Sequence, residues 1–236
     1  MAINKGDFIE IDYTGRLEDS TVFDTTEESV AKKEKIHNPD ARYGSVVICV
    51  GQNHVVAGLD KGIEGKDAGK EYKIEVSPEE GFGKKDAKLI QMIATNKFRK
   101  ENINPMPGLQ VNIDGMLGII RNVSGGRTLV DFNHPLSGQR LFYAVKVKRV
   151  VADEKEKVKA MIDIRIGLRD FDVELKDGKA LITTAKDLKI PAEIAKGLSE
   201  EISKLVPAVK SIEFAARKQE KGDKSNRPVQ KGSEAR

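Results

Sequence analysis

The tightest constraint on this chain is an apolar strand that runs into a glycine-bounded turn and a short apolar helix. Val46-Val47-Ile48-Cys49-Val50 stops at Gly51, turns through Gln52-Asn53-His54, and enters the apolar stretch Val55 to Ile63 through Gly58. On either side, Ile9-Glu10-Ile11-Asp12-Tyr13 and Lys70 to Val76 alternate apolar and polar side chains, as half-buried strands do. Gly15 is expected to end the first strand, Ser29 to Lys35 reads as a short helix, and Asn38-Pro39-Asp40 as a loop. Residues 1–84 therefore predict a β-rich sheet curled around one helix.

From Lys85 the texture changes. Leu89, Ile90, Met92, Ile93, Phe98 and Ile103 crowd together before Asn104-Pro105-Met106-Pro107-Gly108. Alternating runs follow at Leu109-Val111-Ile113, at Leu117-Ile119 with Val123 beyond, and at Leu129, with turns at Asp114-Gly115 and Ser124-Gly125-Gly126. Leu141 to Val150 is again a strand of the first kind. A compact β-insert, 85–130, thus interrupts one domain made of 1–84 and 131–152.

A third unit spans 153–217. Val158, Met161, Ile162 and Ile166 form a helical stripe; Phe171-Val173-Leu175 and Ala180-Ile182 alternate around Asp177-Gly178. Pro191 stands early in a second helix with Ile194, Leu198, Ile202 and Leu205 on one face, and Ile212 with Phe214 suggests a last strand. The order is αββαβ and the overall class is α+β.

The formal net charge of +4 invites a nucleic-acid reading, so its location matters. Six basic residues (Lys218, Lys221, Lys224, Arg227, Lys231, Arg236) face three acids (Glu220, Asp223, Glu234) in the tail 218–236, which reads as a solvated, disordered segment. The remainder is nearly balanced, with 13 basic and 13 acidic residues between Ala152 and Arg217, and lacks the basic stripe of a nucleic-acid module. His37, His54 and His134 share no metal-ligand spacing, and no Gly-Lys-Ser/Thr follows Gly51, Gly58 or Gly62. No apolar run reaches the roughly 20 residues of a membrane span, and the N-terminus has no apolar leader. Cys49, the single cysteine, fits a reducing cytoplasm and reads as a small buried hydrophobe.

Asp12-Tyr13-Thr14-Gly15, Phe23-Asp24-Thr25-Thr26, the Val50–Ile63 segment and Ser77-Pro78-Glu79-Glu80-Gly81-Phe82-Gly83 occur in an order and spacing that resembles the FKBP-type peptidyl-prolyl isomerases. The return through Val130-Asp131-Phe132-Asn133-His134-Pro135-Leu136-Ser137-Gly138 is similar to SlyD-like members with an insert in the flap. The long loop Glu27–Arg42 and the C-terminal unit resemble the long archaeal type. The resemblance covers roughly 1–152. It implies an FKBP-like curled antiparallel sheet, peptidyl-prolyl isomerisation without cofactor or metal, and unfolded or nascent proline-containing polypeptides as partners.

Carried onto this chain, the resemblance makes Leu59 the floor of a prolyl cup. Tyr13, Phe23, Val46, Ile48, Val55 and Tyr143 become its walls. Val56 N–H would hold a substrate carbonyl, and Asp24, hydrogen-bonded to Tyr13, would face the twisting amide beside Phe82. Read alone, Asp24 also fits a turn or cap, and Tyr13 and Leu59 fit plain core. Phe82 stands where many members have Tyr, Leu59 where they have Trp, and Val46 where they have an aromatic wall; weak binding of immunosuppressant-type ligands is expected. The tail lacks the His and Cys of SlyD metal-binding tails.

Leu89, Met92, Ile93, Met106 and Met116 are candidates for a client-holding surface on the insert, or for its small core. The C-terminal unit is assigned to self-association first and to a substrate-holding platform second. A chaperone or adaptor that has lost catalysis is the alternative function.

Overall fold

The computed structural model describes residues 2–185 and 190–216. The chain divides into two compact units, Met1–Ile164 and Arg165–Arg236.

The first unit is organised by β1 (Phe8–Arg16), whose alternation sends Ile9 and Ile11 into the core. One edge of β1 serves two strands in turn. Phe8 to Ile11 pair with β3 (Val46–Cys49), whereas Thr14 to Arg16 pair with β2 (Val22–Thr25). At the gap between them, Tyr13 N–H donates to Thr26 Oγ1 and Thr26 N–H donates to the Tyr13 carbonyl, both at 2.9 Å. The chain leaves that gap through α1 (Glu28–Lys33) and returns as β3. On the other edge of β1 lies β9 (Leu141–Val150), and β4 (Lys70–Val76) pairs with β9; all these pairings are antiparallel.

Gly15 does not end β1. It sits inside the strand opposite Asp24, and a Cβ there would fall 2.6 Å from Phe23 and 3.0 Å from Tyr143. The glycine is needed because two aromatic rings cover the backbone, not because the chain turns.

The short helix α2 (Ala57–Ile63) lies on this sheet with Leu59 and Ile63 buried. Its approach is set by glycines. A Cβ on Gly58 would stand 2.5 Å from Val76 Cγ1, and one on Gly62 would stand 2.5 Å from Ile74 Cγ2. The core is then Ile9, Ile11, Ile48, Val50, Leu59, Ile63, Ile74, Val76, Leu141, Tyr143, Val145 and Val147.

Between β4 and β9 the chain builds a second sheet in the order β5-β8-β7-β6, from β5 (Ile90–Ala94), β6 (Gln110–Ile113), β7 (Met116–Ser124) and β8 (Arg127–Asp131). A helix, α3 (Thr95–Lys100), places Phe98 on a small core of Val111, Ile120, Val130 and Phe132. The Asp114-Gly115 hairpin has positive φ at both residues (51° and 83°), as the sequence predicts for a tight turn. The crowded stretch 89–103 resolves into a strand and a helix that periodicity left unassigned, because its apolar residues face two different partners.

The two crossings into this second sheet are held side by side. Gly138 N–H donates to Gly83 O at 2.8 Å, Asp86 N–H to Asn133 Oδ1 at 2.8 Å, and Phe132 N–H to Leu89 O at 2.9 Å.

A helix, α4 (Glu154–Ile166), begins in the first unit and buries Val158, Met161 and Ile162, the predicted stripe. The second unit contains β10 (Phe171–Lys176), β11 (Lys179–Thr184), α5 (Ala192–Leu205) and β12 (Ser211–Ala216). Its sheet runs β10-β11-β12 with β11 and β12 parallel, a pairing that requires a crossover such as the one carrying α5. Element order is the αββαβ of the sequence reading. Leu198 and Ile202 are buried, but Ile194 is exposed, so the apolar face of α5 covers only its later turns. Pro191 is the cap before the helix, not a residue within it. The expected tail, 218–236, lies outside the described residues.

Candidate active site

A cavity of about 400 Å³ opens where β1, β2, the β3–α2 turn and the Ser77–Gly83 segment meet. Leu59 from α2 is buried beneath it, and Val55 and Val56 line it from the helix entrance. The aromatic side is a chain of edge-to-face contacts. Tyr13 meets Tyr143 at 5.9 Å, Tyr143 meets Phe23 at 5.7 Å, and Phe23 meets Phe82 at 6.3 Å. Such pairs hold one another's ring planes beyond what area burial gives.

Asp24 is the carboxylate of the cavity. Its Oδ2 accepts a hydrogen bond from the Tyr13 hydroxyl at 2.9 Å. The contact follows from register: Gly15 pairs with Asp24, which brings the second strand's acid beside the ring that projects from β1 at Tyr13. Burial first, then the neighbouring Asp24 charge, hold the Tyr13 phenol above its ordinary range; the same two causes raise Tyr143. Both rings therefore stay neutral, one as a committed donor to Asp24.

Val56 occupies the N-cap of α2 with φ −57° and ψ 143°. At that position its N–H has no carbonyl within the helix to bond and remains available to a ligand. The turn that presents it is clamped from below. Asp60, buried in α2, accepts from Gly51 N–H and Asn53 N–H at 2.8 Å each. Gly51 and Asn53 both have positive φ (81° and 54°), so the carboxylate fastens a turn of unusual backbone shape. His54 Nδ1 accepts from Cys49 N–H at 3.1 Å and ties the turn to β3.

Of the residues expected from sequence, the structure gathers Tyr13, Asp24, Val55, Val56, Leu59, Phe82 and Tyr143 around the cavity. Phe23 backs the wall through its two ring contacts. Val46 and Ile48 are not lining residues. The two share a strand face, but Ile48 is in the sheet core whereas Val46, the first residue of β3, is 37% exposed at the strand end. Sequence reasoning missed Asn53 and His54, which line the mouth, and Asp60, whose only signal is an acid inside an apolar helix.

Cys49 is buried, and its Sγ–H points at Gly6 O at 3.5 Å. Burial, then Asp60 and Asp7, push the thiol up to about 11, which leaves it protonated and inert at neutral pH. Among the described residues no cluster of three or more His, Cys, Asp or Glu could hold a metal, and no helix is long and apolar enough to cross a membrane.

Met92 and Met116 on the second sheet and Met106 in the segment before β6 are exposed, at 61%, 43% and 53%. Leu89 and Ile93 instead pack against its small core. Leu117, 62% exposed, was missed because alternation assigned it inward.

Two family models match the chain. A family model described as FKBP-type peptidyl-prolyl cis-trans isomerase matches residues 1–101, and one described as FKBP26, IF domain matches residues 91–136. The short-type peptidyl-prolyl cis-trans isomerase of Methanocaldococcus jannaschii is 33% identical over 154 residues, covering 65% of this chain and 98% of that protein. The FKBP-type isomerase SlyD of Haemophilus influenzae is 28% identical over 152 residues, 62% of this chain and 72% of its own length. FK506-binding protein 2 of Yarrowia lipolytica is 36% identical over 101 residues, 42% of this chain and 61% of its own. The aromatic cup, its Tyr13–Asp24 pair and these matches together make the chain a member of the FKBP-type peptidyl-prolyl cis-trans isomerase family.

Proposed function

We propose that this chain accelerates rotation about X-Pro bonds in unfolded or partly folded polypeptides, using the cavity over Leu59. The unaided rotation takes tens to hundreds of seconds because amide resonance must be broken. A planar amide is charge-separated; a twisted one is less polar and loses less on leaving water. An apolar cup with few polar groups therefore favours the twisted state, and no nucleophile is needed.

In this reading the prolyl ring rests on Leu59 between Tyr13, Phe23, Phe82 and Tyr143. Val56 N–H holds a substrate carbonyl. Asp24 faces the rotating amide from the cup's edge, its orientation fixed by the Tyr13 hydroxyl. Val55 closes the helix side of the cup; Val46 and Ile48 act only through the sheet. The observation that carries the proposal is the 2.9 Å Tyr13–Asp24 bond at the edge of a cavity whose floor and walls are Leu59, Val55, Val56, Phe82 and Tyr143.

Residues 1–84 with 131–152 would form the isomerase domain and 85–130 an insert that holds non-native chains. The exposed Met92, Met106, Met116 and Leu117 support that role, since flexible polarizable side chains suit promiscuous contact. Holding a client beside the cup raises the local concentration of its prolines. Residues 153–217 would serve self-association. The chain would work in the cytoplasm, with no membrane or nucleic-acid partner.

A protease-coupled assay on short proline peptides tests the catalytic reading. Turnover that falls at least tenfold on Asp24→Ala is expected. Absence of turnover in the unaltered protein leaves only the client-holding reading, which the missing Phe82 hydroxyl would then explain.

A further inference from the structure

The imidazole of His134 lies flat on the Phe82 ring, with centroids 4.4 Å apart and planes within 6°. His134 belongs to the return crossing from the second sheet, immediately after Asn133, whose side chain bonds Asp86 N–H on the outgoing crossing. The same crossing also grips the Phe82 backbone: Ser137 Oγ, buried, donates to the Phe82 carbonyl at 3.0 Å. Ring and carbonyl of this one cavity residue are thus both held by the short turn His134–Ser137.

The turn is itself shaped around the imidazole. His134 Nδ1 accepts from Leu136 N–H at 3.2 Å, and the His134 carbonyl accepts from Ser137 N–H at 2.9 Å. Phe82 has no hydroxyl with which to fix its own orientation. Its ring is therefore located by neighbours alone: edge-to-face by Phe23 on the cup side and stacked by His134 on the insert side.

Resting on the reading of the cavity as the prolyl site, we propose that His134 is a positioning residue that sets the Phe82 wall. Through it the insert's return crossing adjusts how the cup accepts a proline. Any displacement of that crossing would move the imidazole and the Ser137 grip together, and Phe82 with them. The cup and the insert are then coupled through one stacked pair and not merely tethered.

The test is a double-mutant cycle on the full chain, with short proline peptides as substrate. His134→Ala is expected to raise KM about two- to tenfold, the scale of one aromatic pair, with kcat nearly unchanged. His134→Phe keeps a flat ring but loses the acceptor of Leu136 N–H, and should restore KM in large part. In a Phe82→Leu background, His134→Ala should add nothing further. Phe82 ring carbon and proton shifts, read by NMR in the resting protein, should move in His134→Ala and return in His134→Phe. Equal KM losses with and without the Phe82 ring, or a His134→Phe variant as impaired as His134→Ala at unchanged melting temperature, would overturn the proposal. Because the ring shifts need no turnover, their failure to respond condemns the stack itself. Loss of all activity in the parent protein instead condemns the prolyl-site reading.

Discussion

The Tyr13 hydroxyl donates to the Asp24 carboxylate across the β1–β2 pair, at 2.9 Å. Removing the donor while keeping the ring isolates its contribution. Tyr13→Phe is expected to lower kcat/KM about three- to tenfold, below the full worth of a charged hydrogen bond because Asp24 reaches solvent. The protease-coupled assay measures it, and an unchanged rate would remove Tyr13 from the orientation of Asp24.

Gly58 is where α2 comes closest to β4. Gly58→Ala gains about 1 kcal/mol of helix propensity but forces a methyl to within 2.5 Å of Val76, an overpacking worth about 1–3 kcal/mol. A net loss of stability in urea is expected, with a lower midpoint and an unchanged slope. A more stable variant would show that the helix can shift off the strand freely.

Asp60 bears on the same helix from the turn side. Asp60→Ala orphans two N–H groups at the cavity mouth. The expected cost is about 2 kcal/mol, the low end for two groups because Gly51 and Asn53 are reached by water. Turnover should fall with it, since the Val55-Val56 entrance loses its clamp. A variant that loses stability but keeps full kcat/KM would show that the turn holds its shape unaided.

Asp131 gives the chain a specific acid response. Burial pushes its carboxyl up, but hydrogen bonds from Asn133 and from Arg121, with the guanidinium charge, together hold it below the ordinary value. A depressed folded pKa means the stabilisation is present above the unfolded value of about 3.9 and lost as pH falls through the folded one. Wild type should therefore exceed Asp131→Asn in stability at pH 7, with the gap closing below about pH 4. Denaturation midpoints at stepped pH decide this; a gap that widens in acid has the wrong sign.

The exposed apolar side chains of the second sheet give the fifth expectation. Met92→Ser with Met116→Ser and Leu117→Ser should leave short-peptide turnover within about twofold, because surface substitutions seldom exceed about 0.5 kcal/mol. Assistance to refolding of a proline-limited protein should drop severalfold. Unchanged assistance would move client holding elsewhere.

Much of this was legible in the residues, and the misses have physical causes. Alternation found β4 and β9 because each has one wet and one dry face, and β1 because Glu10 and Asp12 alternate with buried Ile9 and Ile11. It misjudged Gly15, since a glycine that yields to Phe23 and Tyr143 is indistinguishable in one dimension from one that turns the chain. Asp24 and Tyr13 were named from family spacing, but their contact depends on a strand register that no local pattern encodes. Asp60 was passed over because an acid in a short helix ordinarily faces water, and here the turn above it supplies two N–H groups. Leu117 was assigned inward by its neighbours' period. The structure leaves it outside, where burial of Gly118 shows the opposite parity to be the dry one.

Asn133 closes the neck of the insert with a side chain doing the work of a strand residue, accepting from Asp86 N–H and donating to the Asp86 carbonyl at 3.0 Å while also donating to Asp131. An amide can do this because it carries both polarities at once. Slow hydrolysis of asparagine to aspartate, the usual chemical ageing of that side chain, would leave a carboxylate facing a carbonyl and another carboxylate. Loss of that one nitrogen would loosen the join between the two crossings at Asp86, leaving the Gly138–Gly83 and Phe132–Leu89 backbone bonds and each sheet intact.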